Sequence, residues 1–320
     1  MNRILVTVLS VSAFLTACQP QATRLTASTP TSTPMRLIPT PRYDVPPTTS
    51  PTVTPEATRT PPATRTAEST STDSPATLME TPDNTWMTLP VLPSPDESIR
   101  EIYELGQSLG NDPTAVSIFG DCQARPEEFL GIYEADPLAL ASLPPELRSV
   151  VDNFDGSFNR ESPTARDGTT PGALLWTQWH RGRFGCTFAE TPVECELRIH
   201  NPSFVIIQIG SHFESRNTEY LRRVITQLIE NGVVPILATK ADNRELDHRI
   251  NRDMALLAGE FNLPLWNFWA ALNDLPNRGL YTRSDRPYQG DIYLNEEAQE
   301  IQRRTGLAAL NLVWRAATGE

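Results

Sequence analysis

The feature that most limits what this chain can fold into is the distribution of its prolines. Sixteen of the 29 prolines lie in the first 95 residues, where they alternate with Thr and Ser and few apolar residues. Such a segment buries too little apolar surface to offset the entropy of ordering it. We therefore predict a disordered tether over residues 18–95 and one folded domain over residues 96–320, a length that suffices for a hydrophobic core.

The first 17 residues have the three parts of an export signal. Arg3 supplies positive charge, residues 4–15 are mainly apolar, and two small residues lead directly to Cys18. The apolar run is too short to remain in a bilayer as a spanning helix. Small residues before a cysteine resemble a lipobox, and this resemblance implies cleavage before Cys18 and lipid attachment to its sulfur. We expect an extracytoplasmic chain anchored to the cell membrane through Cys18; the alternative is an ordinary signal peptide that contains a cysteine.

The charge of the chain argues against nucleic-acid binding. Its formal net charge is −12 at pH 7, whereas proteins that bind nucleic acids present a basic face. Lys240 is the only lysine, and the other strongly basic residues are all arginine, which we attribute to composition bias. No motif indicates a metal ion or a cofactor, and none is expected.

The four cysteines have different expected roles. Cys186 and Cys195 flank a short loop in a compartment that permits disulfides, so we predict that they are bonded to each other. A zinc site is the alternative, and it is disfavoured because no CxxC or HxxxH spacing accompanies them. With Cys18 assigned to the lipid, Cys122 remains as the odd thiol.

Short apolar runs alternate with helical patterns along the rest of the chain. Four runs predict buried strands, at residues 115–119, 204–209, 233–238 and 265–268. Apolar residues at helical spacing predict helices in three places, around residues 221–229, 246–261 and 296–317, the last being one or two helices interrupted near Gly306.

Buried strands that alternate with amphipathic helices indicate a parallel sheet covered on both faces, hence a three-layer αβα domain. Ligands of such sheets bind at the carboxyl ends of the strands. The loops after Phe119, Ile209 and Ala238 are therefore the expected location of a site.

The turns after these strands resemble the sequence blocks of the SGNH (GDSL) hydrolases. Gly120-Asp121-Cys122 resembles the Gly-Asp-Ser nucleophile turn, and Gly210-Ser211-His212 lies where that family carries Gly-x-Asn. Gly168 is the candidate for the oxyanion-hole glycine, and Gly290-Asp291-Ile292-Tyr293 resembles the Asp-x-x-His block. The resemblance covers most of residues 115–314 and implies the flavodoxin-like SGNH fold and ester hydrolysis.

The departures from that family concern the reacting residues. Cys122 replaces the nucleophilic Ser, His212 replaces the Asn, and Tyr293 replaces the general-base His. Gly290 replaces the Asp of the last block, although Asp291 is adjacent. Because a phenol has a pKa near 10, it is a proton donor at neutral pH, and a Ser-His-Asp relay cannot be assembled from these residues.

Ester hydrolysis is still possible if a different residue acts as the base. A histidine at position 212 can act as the base for a Cys122 thiolate, with Glu214 or Asp291 orienting the imidazole. The backbone N–H groups of Cys122 and Gly168 then serve as oxyanion donors.

Each candidate also has a purely structural interpretation. Cys122 can fill the turn as a small apolar side chain, and His212 can bond only to the loop backbone. Tyr293 can pack on the last helix, and Asp121 can cap a turn.

The polar segment after the third strand has two interpretations. Asp242 and Asn243 either shape the pocket or cap the next helix, and the second interpretation is favoured.

Three functions are consistent with the sequence. The first is a divergent esterase that acts on acylated glycans or other esters through Cys122 and His212. The second is a catalytically inactive SGNH-fold module that binds glycans or another component of the cell envelope. The third is an envelope interaction module in which the cleft has no role. The loss of the family base favours the second and third.

Overall fold

The computed structural model describes residues 84–210 and 218–319. All of these residues belong to one compact unit. Their ten α-helices are α1 Ser98–Leu109, α2 Ile132–Ala135, α3 Pro137–Ala141, α4 Pro145–Asn153, α5 Pro171–Leu174, α6 Pro192–Ile199, α7 Thr218–Glu230, α8 Arg249–Glu260, α9 Phe268–Ala271 and α10 Glu296–Thr318. Their six strands are β1 Asp112–Gly120, β2 Pro202–Gln208, β3 Val234–Ala238, β4 Leu265–Trp266, β5 Leu280–Tyr281 and β6 Tyr293–Leu294.

The first four strands form one parallel sheet in the order β1-β2-β3-β4. Gly120 at the end of β1 lies opposite Gln208 at the end of β2, and Leu237 in β3 lies opposite Leu265 in β4. On the outer edge of β1, Ala165 makes an isolated parallel bridge to Gly120. β5 and β6 form a separate antiparallel pair.

Each face of the sheet is covered by its own hydrophobic cluster. Alternate side chains of β1 and β2, such as Ile118 and Ile206, pack with α1, α4 and α10. The side chains between them, such as Phe119 and Ile207, pack with α7 and α8 on the opposite face. This alternation follows from the two-residue repeat of a strand. The predicted three-layer αβα fold with a parallel sheet is confirmed.

The predicted disulfide is confirmed. Cys186 and Cys195 are bonded, with their Cα atoms 5.3 Å apart, and Cys122 is the free thiol of the described residues. Within residues 84–210 and 218–319, no group of His, Cys, Asp and Glu side chains is arranged to hold a metal ion. In the same ranges, no helix has both the length and the apolar character needed to span a membrane.

Two elements differ from the sequence expectation. The last helix is continuous and is not interrupted at Gly306, because that glycine faces the core: a Cβ there would lie 2.7 Å from the Phe129 ring. The predicted fourth strand comprises Leu265 and Trp266 only, since Asn267 caps α9 by accepting from the Ala270 N–H.

The packed part of the chain extends before the predicted boundary at residue 96. Trp86 is buried, and its ring lies edge-on to Trp269 with centroids 5.1 Å apart. The Asn267 side chain donates to the backbone oxygens of Trp86 and Leu89 at 2.9 and 3.1 Å. Residues 84–95 therefore belong to the folded unit, although their proline content resembles that of the segment before them.

A close contact between α1 and the turn after α7 gives a stability prediction. A Cβ on Gly106 would lie 2.1 Å from the Gly232 carbonyl oxygen, which is backbone and cannot rotate away. Gly106→Ala should therefore lower the free energy of unfolding by about 2 kcal/mol or more. Gly259→Ala in α8 is the matched control, because nothing lies within 4 Å of its Cβ position, and it should stabilise by about 0.5–1 kcal/mol. Urea unfolding of both variants measures the difference, and equal effects would contradict the prediction.

Candidate active site

The candidate site lies where the carboxyl ends of β1 and β2 meet. The Asp121 N–H donates to the Gln208 carbonyl oxygen at 3.4 Å, which continues the strand pairing into the turn. Cys122 begins a short 3-10 turn, Cys122–Ala124, directly after Asp121. The chain reverses here because Gly120 has no side chain: a Cβ at that position would lie 2.5 Å from the Gln208 oxygen.

The Asp121 carboxylate holds this turn together. One of its oxygens, Oδ1, accepts from the Cys122 backbone N–H at 2.6 Å and from the Gly168 backbone N–H at 2.7 Å. These are the two N–H groups that the family resemblance assigns to the oxyanion hole. Both N–H groups therefore donate to the carboxylate of Asp121, a charge of the protein, and not to an oxygen of a substrate.

The Cys122 thiol is buried, with 5 % of the residue exposed. Burial raises its pKa strongly, and the Asp121 and Asp167 carboxylates raise it further, while Arg125 acts in the opposite direction. A thiol in this environment stays protonated at neutral pH and is a poor nucleophile.

Cys122 and Tyr293 line the same cavity, whose volume is about 160 Å³. The Tyr293 hydroxyl is hydrogen-bonded to Gln289, and the Arg283 guanidinium lies 5.1 Å from the centroid of its ring. Burial raises the pKa of Tyr293, and a hydrogen bond with Arg286 partly opposes this effect. Tyr293 is therefore a neutral phenol beside the thiol and cannot accept its proton at neutral pH.

Asp291 lies in a different place from Cys122. Its carboxylate is exposed and accepts hydrogen bonds from Thr282 and Asn277. It lines a second cavity of about 650 Å³, together with Asn243 and His248. The structure does not bring Asp291 into the Cys122 cavity.

The remaining block begins at Gly210, two residues after the end of β2. Gly210 is buried and has φ of +116°, which favours glycine. The proposed pocket residue Ser211 and the proposed base His212 lie outside the described residues, as does Glu214. The hypothesis of a Cys122–His212 pair therefore stays a prediction.

Asp242 and Asn243 do not cap α8. The Asp242 carboxylate accepts from Lys240 Nζ at 2.7 Å and from the Arg244 N–H at 3.1 Å. The Asn243 side chain instead bonds His248, accepting from its backbone N–H and contacting its ring Nε2, both at 2.9 Å. The cap position of α8 is occupied by His248, which makes no side-chain cap.

Lys240 is the centre of a buried ion cluster that the sequence analysis missed. Its Nζ binds Asp242 and, at 2.6 Å, Glu245, and all three side chains are 1 % exposed. Burial raises the pKa of Asp242, and the Lys240 charge counteracts this. The signal was present in the sequence: the only lysine of the chain lies two residues after the end of a predicted buried strand, a position that composition bias does not explain.

Comparison with known proteins returned matches among solved structures only. No protein-family profile matches the sequence, and no curated protein matches it. A crystal structure of a lipolytic G-D-S-L family member from Veillonella parvula is 12 % identical, with a TM-score of 0.34, covering 61 % of this chain and 96 % of that one. A crystal structure of a GDSL-like lipase from Bacteroides thetaiotaomicron is 14 % identical, with a TM-score of 0.36, covering 68 % of this chain and 97 % of that one. With TM-scores this low, the interpretation of the site rests on its own residues.

The surroundings of Cys122 predict its reactivity. At pH 8, iodoacetamide should modify Cys122 of the folded protein at least about 100-fold more slowly than in guanidinium-unfolded protein, as followed by peptide mass spectrometry. Because the thiol pKa is raised, the rate should climb with pH without a plateau below about pH 10. Asp121→Asn should accelerate the reaction in folded protein, since it removes a negative charge beside the thiol, and should leave the unfolded rate unchanged. A folded rate equal to or above the unfolded rate would instead indicate a Cys122–His212 pair.

The buried ion cluster gives a prediction about stability. Lys240→Met leaves the Asp242 and Glu245 carboxylates buried without their cation, so the free energy of unfolding should fall by about 3–5 kcal/mol. Arg304→Met is the matched control, because the Arg304–Glu300 pair is exposed on α10, and it should cost less than about 1 kcal/mol. Urea unfolding at pH 7 measures both, and a small loss for Lys240→Met would show that the cluster contributes little.

Proposed function

We propose that this protein is a catalytically inactive SGNH-like module, anchored outside the cytoplasm through a lipid on Cys18, that binds a glycan of the cell envelope in the cavity beside Cys122. The observation that carries the loss of catalysis is the pair of hydrogen bonds from the Cys122 and Gly168 N–H groups to Asp121 Oδ1, at 2.6 and 2.7 Å. An oxyanion hole needs free donors that point at the position where negative charge develops. Here the donors are engaged by a fixed carboxylate, which would repel that charge.

The state of the thiol supports the same proposal. An active cysteine needs a lowered pKa, whereas burial and the carboxylates of Asp121, Asp167 and Asp242 raise the pKa of Cys122. The residue at the family's base position is a phenol, Tyr293, which does not accept protons at neutral pH. The thiol, the residue at the family's base position and the two N–H groups are thus each unsuited to the hydrolytic step.

The chemistry of the cavity favours a sugar as its ligand. Its walls carry polar and aromatic side chains together, among them Gln299, Tyr281 and Tyr293. Tyr281 is 46 % exposed and lies 6.1 Å from Tyr293, centroid to centroid. An exposed ring beside hydrogen-bonding groups suits a ligand with one apolar face and many hydroxyl groups.

The esterase remains the second candidate, because Cys122 lines the cavity that a substrate would enter. In that case His212 would supply the base and Asp121 would have to release the two N–H groups. This alternative and the proposed function predict opposite results in one assay.

The assay compares the full chain with Cys122→Ala on acetyl and octanoyl esters, acetylated sugars and thioesters. We expect no turnover above the uncatalysed rate for either protein, and saturation-transfer NMR should show binding of envelope-type oligosaccharides. Tyr281→Ala should weaken this binding about tenfold or more, whereas Tyr220→Ala should not, since Tyr220 is an exposed tyrosine of α7 outside the cavity. Turnover that disappears in Cys122→Ala would refute the proposal and establish the esterase.

A further inference from the structure

We infer that the sugar bound in the cavity beside Cys122 is acidic, a uronic acid whose carboxylate pairs with Arg283 and Arg286. This inference rests on the proposed glycan-binding function and specifies its ligand class. It derives from the uneven distribution of charge between the two walls of the cavity, which are built by distant segments of the chain.

One wall comes from the segment between β5 and β6 and is cationic. Arg283 and Arg286 both line the cavity, and Asp285 of the same segment forms an ion pair with each of them. Asp285 lies 2.8 Å from Arg283 but 3.9 Å from Arg286. This wall therefore has an excess of one positive charge, and Arg286 has the weaker of the two ion pairs.

The opposite wall is acidic. Arg125 is its cation, and it contacts three carboxylates, those of Glu127, Glu128 and Asp167, at 3.3, 3.1 and 3.3 Å. Glu128 and Asp167 line the cavity with Arg125. This wall has three carboxylates for one guanidinium group. Carboxylate oxygens therefore remain available to accept hydrogen bonds, and the wall favours ligand groups that donate them.

A uronic acid matches both walls at once. Its carboxylate is planar and forms paired hydrogen bonds with guanidinium groups, and its hydroxyl groups donate to carboxylates. The cavity volume of about 160 Å³ is close to that of a cavity of about 150 Å³ known to hold a benzene molecule, so one six-membered ring is the appropriate size. The exposed ring of Tyr281 offers a surface to the apolar face of the sugar.

Hydrogen bonds join the buried residues beneath the cavity, which favours a defined orientation of the ligand. Gln302 is fully buried in α10, and its Nε2 donates to Gln208 Oε1 at 2.8 Å and to the Gln123 carbonyl oxygen at 3.0 Å. The Gln123 side chain in turn donates to the Ile292 carbonyl oxygen. These bonds link the turn after β1, the end of β2 and the segment before β6, so little ordering entropy is lost when a ligand binds.

The test uses three ligands that share one ring. Methyl glucuronide, its methyl ester and methyl glucoside are titrated into the full chain by calorimetry at low salt. The glucuronide should bind about tenfold or more tightly than the other two, because only it has a negative charge to pair with the arginines. Arg286→Met should reduce its affinity to that of the glucoside, and Arg304→Met, an exposed arginine of α10 outside the cavity, should leave it unchanged. Thermal melts confirm that both variants fold.

The outcomes separate this inference from the proposed function. Equal affinity for the three ligands, or tighter binding of methyl glucosaminide added as a cationic fourth ligand, would overturn the acidic-sugar inference and leave glycan binding intact. Failure of every sugar to bind would overturn both. Hydrolysis of the methyl ester that depends on Cys122 would refute the inactive module, whichever ligand binds best.

Discussion

The close approach of β1 and β2 at their carboxyl ends is the constraint on which the rest of the site depends. Gly120 lies opposite Gln208 in the register of the sheet, and a side chain at Gly120 would collide with that residue's backbone and with Ala124. Only glycine lets the chain turn so tightly there. The turn then places Asp121, Cys122 and Gln123 in succession at the edge of the sheet, where ligands of parallel sheets bind.

We propose that the turn keeps the backbone of a nucleophile site without its electrostatics. An oxyanion-hole donor contributes about 2.7–4 kcal/mol to a transition state when it is free to meet the developing charge. In this protein the Cys122 and Gly168 N–H groups already donate to the Asp121 carboxylate, and the bond from Gly168 ties the turn to a distant segment of the chain. The same charge helps keep the thiol of Cys122 protonated. One carboxylate therefore stabilises the fold of the site and opposes the chemistry of hydrolysis.

Two buried polar networks fix the loops on either side of this turn. Gln302 links α10 to the end of β2 by a hydrogen bond. After β3, Lys240 forms ion pairs with Asp242 and Glu245. Buried polar groups are costly unless they are paired, so each network restricts its loop to a narrow range of conformations. Between these hydrogen-bonded loops lies a cavity whose two walls differ in charge, although the chain as a whole is acidic.

The sequence by itself determined the layers of the fold, because these depend on local patterns. Apolar runs marked β1, β2 and β3, helical spacing marked α7 and α8, and the nine-residue separation of Cys186 and Cys195 marked the disulfide. Tertiary structure decided the contacts between distant segments. It kept α10 continuous at Gly306 by packing Phe129 against it, separated Asp291 from Cys122, and turned the Gly168 N–H toward Asp121, 47 positions earlier in the chain. A side chain's partner across such a separation is set by the register and packing of whole elements, which no local pattern of residues encodes.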